Sequence, residues 1–487
     1  MSETHEKRRP VLVFVLTIIM LLGLSYLPSD FNILGYNIRP VDLLMDIKPD
    51  SLLDYSSIQQ KTNVAPSKVN LNSKAAVSPG INKSALYSSL SLNLPYDFFI
   101  LLNKKLEAPA KSFQNGPQIR DIPISGNVAQ MSYFYNSVKN SSGTKIRIAH
   151  YGDSGIEGDL ITADIRKDLQ KQFGGNGVGM LAITSQDIMF RSTTRQTFSD
   201  NWSTYNVVVG NPKHLPLGMN GFVSVPNGSA WVKYETKDTY PDSKSFSTIR
   251  IFYTNAKSSA IKYSFNNGIE QTAMLTPGGD VKELTLDAPD NSRSFKLITT
   301  MANQAEFFGV SLEDGNGLYV DNFPWRGNTG ISFRDLPPAT LKDFDKLCNY
   351  KLVILGFGGN VASPIAKDYD WYEKEMIRNI NHMKSIFPNT SFLLLGAGDK
   401  SIKRGSRFVT DPGIPLLIKS QQRIAEKTGI AFWNAFEAMG GMNSMEKWVY
   451  ANPPLALRDY THVTAQGASK IGEMIANAIL SGYRKFR

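Results

Sequence analysis

The chain has 487 residues, of which 42% are hydrophobic, with a formal net charge of +10 and five histidines. That length allows roughly two or three domains and a sizeable core. The single cysteine, Cys348, excludes an intrachain disulfide framework and any zinc site built from cysteines. Lys and Arg are scattered, without a dense run or interleaved aromatics, so the charge favours a membrane surface or an acidic polymer over nucleic acid.

At the N-terminus "KRRP" precedes "VLVFVLTIIMLLGLSYL" (11–27), a charge-free apolar run at the short end for a membrane span. "SYLPSD" offers no small-x-small cleavage site, so residues 1–30 read as a cytoplasmic tip and an uncleaved, single-pass signal anchor. The basic cluster ahead of the run puts the N-terminus in the cytoplasm and the rest on the periplasmic or outer side of the membrane. Residues 31–125 read as a stem: 61–84 is rich in Ser, Asn, Lys and Pro without apolar periodicity, and "LPYDFFILLNKKL" reads as a short docking helix.

Globular patterning begins near Val128. "VAQMSYFYNSVKN" reads as a helix, "KIRIAHY" (145–151) as a buried strand, and "EGDLITADIRKDLQKQF" (157–173) as an amphipathic helix carrying Leu160, Ile161, Ile165, Leu169 and Phe173. "GGNGVG" (174–179) follows a helix and lacks the Gly-Lys-Ser/Thr of a phosphate loop, so it reads as a helix terminator. From 187 to 315, short β-rich segments alternate with turn signals, which predicts an antiparallel sandwich. Strands then alternate with helices: "GLYVDNF", "KLVILGFGGN", "YEKEMIRNINHMKSIF", "SFLLLGAGD", "LLIKSQQRIAEKTG", "IAFWNAF" and "TAQGASKIGEMIANAILSGY". This predicts a three-layer α/β fold with a mostly parallel sheet, split into 126–186 and 316–487, with 187–315 inserted between its first and second strands.

In such a sheet, sites collect at the carboxyl ends of strands. Ser154 follows "KIRIAHYGD"; it is either a nucleophile or an ordinary helix cap. Gly327 or Gly330 in "DNFPWRGNTG" can offer a backbone N–H to an oxyanion, or simply make a turn. Asn360 in "GFGGN" can donate its amide to the same oxyanion, or cap a turn. In "RDYTHVTAQG", Asp459 and His462 are spaced so that the carboxylate can fold back onto Nδ1 and leave Nε2 as a base; alternatively both are surface residues ahead of a helix capped by Thr464.

Serine after the first strand, glycine after the second, asparagine after the third and Asp-x-x-His before the last helix together resemble the SGNH (GDSL-type) hydrolase superfamily. The resemblance implies Ser154 as nucleophile, His462 as general base and acid, and Asp459 as its orienting partner. It also implies an oxyanion hole from the Ser154 N–H, the Gly327 N–H and the Asn360 amide, with Gly327 preferred because "WRGNT" best matches the family's second block. Gly155 stands where the namesake motif has Leu, and Val361 where many members have Asp; neither position is needed for proton transfer. An inserted sandwich at this point is similar to that of the membrane- or envelope-bound peptidoglycan O-acetylesterases of Gram-negative bacteria.

The activity expected from that resemblance is an envelope serine esterase that removes O-acetyl groups from a polysaccharide, peptidoglycan first, through an acyl-enzyme and without a metal or organic cofactor. The alternatives are a polysaccharide O-acetyltransferase working with a membrane acyltransferase, and a non-catalytic glycan-binding scaffold. Trp202, Trp231 and Tyr234 are the aromatics of the insert that either grip glycan or fill its core.

Overall fold

The structure, a computed structural model, describes residues 116–139, 143–300 and 305–486, together with the short strands Asn32–Ile33 and Tyr36–Asn37. The chain divides into two units, Met1–Asn93 and Leu94–Arg487. In the first, the two short strands pair antiparallel. The expected anchor at 11–27, the stem at 61–84 and the docking helix "LPYDFFILLNKKL" lie outside the described residues, and among the described residues no helix is long and apolar enough to cross a membrane.

In the second unit the α/β elements run β1 (Ser125–Gly126), α1 (Ser132–Lys139), β2 (Lys145–Gly152), α2 (Thr162–Phe173), β3 (Gly317–Pro324), α3 (Pro338–Cys348), β4 (Tyr350–Gly356), α4 (Asp370–Ile386), β5 (Ser391–Leu395), α5 (Gly413–Thr428), β6 (Ala431–Trp433), α6 (Ala435–Met439), α7 (Ser444–Val449) and α8 (Ala465–Phe486). The sheet order is β3-β2-β4-β5-β6-β1, with every pairing parallel except β6 with the edge strand β1.

The strands are apolar throughout because both faces are covered. Along β4, Leu352 and Ile354 join the core under α1, α2 and α8, whereas Val353 and Leu355 join the core under α3, α4 and α5. This period-two division produces the three layers expected from the sequence. On α8, Ala468, Ile471, Ile475 and Ile479 form one buried face at helical spacing.

Between β2 and β3 the chain builds two antiparallel sheets. One follows the path Lys282–Ser292, Phe246–Thr254, Glu306–Asp314, Phe222–Pro226, Trp202–Asn206, with Asn176–Leu181 also paired to Glu306–Asp314. The other runs Gln271–Leu275, Ser259–Phe265, Ser294–Thr299, Trp231–Thr236, Thr194–Phe198. A core of Val232, Tyr234, Ile249, Ile251, Phe295 and Val310 fills the space between them. The strand Asn176–Leu181 falls in a stretch expected to belong to the α/β part. It serves both: Val178 and Leu181 face the sandwich core, and Met180 joins the core beneath the parallel sheet.

Arg147 of β2 stitches the two parts together. It is fully buried, holds both oxygens of Asp321 at 2.8 and 2.9 Å, and pairs with Ser311 (2.9 Å) and Glu313 of the sandwich. The Tyr350 hydroxyl and the Met180 N–H complete Asp321 at 2.7 and 2.8 Å.

The helix expected over 157–173 begins only at Thr162. A 3-10 turn, Ser154–Asp159, precedes it, and Gly158, Asp159 and Ile161 take positive φ values of 68°, 65° and 63°. The cause lies in buried polar side chains. Arg166 holds the Asp159 carboxylate at 2.8 and 3.0 Å and the Thr193 hydroxyl donates to it at 2.6 Å, while the buried Glu157 meets Arg326 at 3.1 Å; both groups are fixed by partners elsewhere in the chain. Strained backbone held by such bonds clusters at functional sites.

Candidate active site

Gly152, at the end of β2, stands in register with Pro324 of β3 on one side and Gly356 of β4 on the other. Parallel neighbours lie about 4.8 Å apart. The loops leaving these three points therefore share one edge of the sheet, with Ser154 just past Gly152, Gly327 just past Pro324 and Asn360 just past Gly356. A Cβ at position 152 would stand 3.0 Å from the Ile156 side chain and 3.1 Å from the Gly356 carbonyl oxygen, so a larger residue would have to push one of them aside.

The cap of the turn after β2 is Asp153, whose Oδ1 accepts the Gly155 N–H at 2.9 Å. Oδ2 of the same carboxylate faces Gly359, 3.3 Å from where a Cβ on that glycine would sit, so the Ser154 turn lies against the Asn360 loop. Ser154 thus has no capping task. Among the described residues neither its Oγ nor its N–H has a hydrogen-bond partner, and the residue is half-buried.

The Trp325 N–H donates to the Gly152 carbonyl at 2.7 Å, and the Asn328 N–H to the Trp325 carbonyl at 2.9 Å. This closes a four-residue turn whose third residue, Gly327, has φ +71°. That is the position where a type II turn demands positive φ. No atom lies within 4 Å of where a Gly327 Cβ would sit, so its surroundings are open. The Gly330 N–H is spent on the Asn328 side chain at 2.7 Å, whereas that of Gly327 has no partner among the described residues. The exposed Asn360 amide donates only a long bond, 3.3 Å, to the Asn328 carbonyl.

Asp459 and His462 meet as their spacing suggested. Oδ1 of Asp459 accepts the Thr461 and His462 N–H groups, both at 3.0 Å, and Oδ2 lies 2.6 Å from His462 Nδ1. The Thr464 hydroxyl caps α8 by accepting the Gly467 N–H at 3.1 Å. The hydrogen bond to Asp459 holds the imidazole pKa above its ordinary value, burial opposes this, and the Asp153 charge adds to it. Burial raises the Asp459 carboxyl, but the bonds from His462 and Thr461 outweigh it and hold the group below the usual carboxylate range. His462 and Asp153 feel each other's charge, as do His462 and Glu157, so the imidazole belongs to the neighbourhood of the Ser154 turn. A carboxylate on Nδ1 fixes the tautomer that leaves Nε2 free to accept a proton.

The other histidine near the site is out of play. His150 is fully buried on β2, its Nδ1 is 2.8 Å from the Thr162 hydroxyl, and burial drives its pKa down to about 3.

Sequence reasoning missed Glu157 and Arg326. Burial pushes the Glu157 carboxyl up to about 7 against the opposing charge of Arg326. The one sequence signal was the position of Arg326 immediately before Gly327. The pair lines a cleft of about 270 Å³ whose opposite wall is the insert, including Phe198, Trp202 and Val209. Of the three aromatics singled out in the sequence, only Trp202 lines this cleft. Tyr234 is fully buried in the sandwich core, and Trp231 lies under Lys296 at 5.4 Å.

No family model and no curated protein matches the chain. Among solved structures it is similar to a peptidoglycan O-acetylesterase, with a TM-score of 0.60 and 20% identity, over 74% of this chain and 99% of that one. Likeness to a family two carbohydrate esterase from Cellvibrio japonicus is fainter, with a TM-score of 0.26 and 9% identity over 60% of this chain and 99% of that one. The chain shares the fold of that peptidoglycan O-acetylesterase.

Proposed function

We propose that the protein is a serine esterase that removes O-acetyl groups from an envelope polysaccharide, with peptidoglycan as first candidate. The observation that carries this reading is the 2.6 Å Asp459–His462 pair, whose imidazole acts on the charge of Asp153 next to the unpartnered Ser154. The fold shared with a peptidoglycan O-acetylesterase supports it.

In this mechanism Ser154 Oγ attacks the acetyl carbonyl carbon while His462 Nε2 takes its proton. The Ser154 and Gly327 N–H groups and the Asn360 amide receive the oxyanion. Losing one such donor costs about 10²–10³ in rate. The intermediate collapses, and the sugar oxygen leaves with the proton returned by His462. Water, activated by the same imidazole, then attacks the acetyl-serine and releases acetate. Asp459 keeps Nδ1–H oriented and stabilises the imidazolium.

We extend the proposal to location: residues 11–27 act as a membrane anchor, with the catalytic part on the periplasmic or outer face. The test is acetate release from O-acetylated peptidoglycan by the full chain, with Ser154→Ala as control. Release that disappears in the variant is expected. Transfer of acetyl to a glycan acceptor without free acetate would reassign the protein as an acetyltransferase fed by a membrane acyltransferase. Glycan retention with no turnover of any ester would leave a binding scaffold.

A further inference from the structure

Beyond β5, at the same carboxyl edge as Ser154, the chain forms an antiparallel hairpin, Ser401–Arg404 with Arg407–Thr410. Lys403, Arg404 and Arg407 on this hairpin are exposed, and so is Arg458 on the loop that carries Asp459 and His462. None of these four cations has an ion-pair partner among the described residues. Three of the nearby acids are committed elsewhere, and a fourth, Glu446 of α7, lies close enough to Tyr460 to act on its hydroxyl. Asp399 is buried and accepts the Met445 N–H at 2.7 Å and the Lys400 N–H at 3.0 Å. Asp411 is buried and accepts the Gly413 N–H at 2.8 Å, and Asp459 holds His462.

The hairpin is packed directly onto the catalytic loop. The Ser401 N–H donates to the Tyr460 carbonyl at 2.9 Å. The Phe408 ring stacks flat on Tyr460, with centroids 3.5 Å apart and an interplanar angle of 5°. Tyr460 in turn shares a 2.9 Å hydroxyl contact with Tyr450. Tyr460 sits between Asp459 and His462, so whatever the hairpin holds is held at a fixed offset from the imidazole. Unpaired surface cations fixed beside a site focus the field for anions and raise the local concentration of an anionic substrate.

We propose that this hairpin docks carboxylate groups of an acidic polysaccharide substrate and lays the polymer across His462. This rests on the esterase reading and adds the substrate's charge class to it. A neutral glycan or a small ester makes no use of the hairpin; a chain bearing carboxylates at intervals does, and its capture weakens with salt.

The test compares the full chain with the triple variant Lys403→Gln/Arg404→Gln/Arg407→Gln on three substrates: 4-nitrophenyl acetate, O-acetylated xylan freed of uronic acids, and O-acetylated peptidoglycan retaining its stem-peptide carboxylates. Exposed charge contacts are individually weak, so three together are expected to lower kcat/KM on the acidic polymer by about tenfold, through KM, and to flatten its salt dependence. The other two substrates should be unaffected. Equal losses on the neutral xylan, or no loss on the acidic polymer, would overturn the proposal. Retention of the acidic polymer is measured separately in the Ser154→Ala background with and without the triple substitution. If no ester is turned over, the esterase reading fails, yet loss of retention in the triple variant still reads the surface. Tighter hairpin-dependent binding of anionic phospholipid vesicles or of RNA than of the acidic glycan would assign the surface to another partner and sink the proposal.

Discussion

Replacing Asp459 by Asn tests the catalytic assignment most sharply, because the structure dictates how the amide must sit. Oδ1 accepts two backbone N–H groups at 3.0 Å, from Thr461 and His462. An amide NH₂ cannot accept them, so Asn keeps its oxygen there and turns its NH₂ toward His462 Nδ1. Two donors cannot face each other. The imidazole must then move its proton to Nε2, which is the wrong tautomer for accepting the serine proton. The charge that would stabilise the imidazolium is lost as well. In a sealed site such a change costs about 10⁴ in kcat. Here the side chains are 46% and 52% exposed, so water makes up part of the loss and about 10³ is expected, equivalent to roughly 4 kcal/mol of barrier.

Folding should scarcely notice, since an exposed pair contributes about 0–1 kcal/mol. The pH profile gives a second, independent readout. The base must be neutral, so wild-type kcat/KM rises with pH through a His462 pKa that Asp459 holds above its ordinary value. In the variant that limb moves to lower pH. Steady-state kinetics on an acetyl ester between pH 5 and 9, alongside thermal denaturation, measures both. Activity within tenfold of wild type and an unmoved acid limb would refute the proton-relay reasoning.

Asn360→Ala should lower kcat by about 10²–10³ with little change in KM, since the donor acts on the oxyanion and not on the bound ester; an effect confined to KM would remove it from that role. Glu157 titrates at about 7 in the fold, above its unfolded value. The stability it contributes is therefore complete below the unfolded pKa of about 4.3 and lost as pH rises through 7. Relative to Glu157→Gln, the wild type should lose at most about 3 kcal/mol between pH 4 and 8 in urea titrations; parallel pH dependences would contradict the burial argument. Asp321→Ala strips the buried Arg147 of its bidentate partner and leaves the Tyr350 hydroxyl and Met180 N–H without their acceptor. A loss of about 3–5 kcal/mol is expected by chemical denaturation, and a loss below about 1 kcal/mol would mean that the seam between sheet and sandwich does not depend on this network.

Local patterning sufficed for the elements that bury an apolar stripe. "KIRIAHY" and "KLVILG" read as strands because nearly every residue is apolar, and α8 read as a helix because its buried positions recur at helical spacing. The Asp459–His462 contact was legible because it spans a single tight turn. The start of α2 was not legible, because the partners that break the helix at Gly158–Ile161 include Thr193 and Arg326, far along the chain. The double allegiance of Asn176–Leu181 was hidden for the same reason: it depends on which strands arrive on either side.

The sequence by itself determined the alternation of strands and helices, the antiparallel insert between "KIRIAHY" and "GLYVDNF", and the order of serine, glycine, asparagine and Asp-x-x-His along the loops. Those features are written in periodicity and short-range spacing. Only the tertiary structure decided which of two residues caps the turn after β2, which of two glycines keeps a free N–H, and which aromatic lines the cleft. It alone brought the hairpin Ser401–Thr410 against Tyr460. Each of those outcomes depends on hydrogen bonds or stacking between segments far apart in the chain, and no local pattern encodes which distant partner will come to satisfy a given donor.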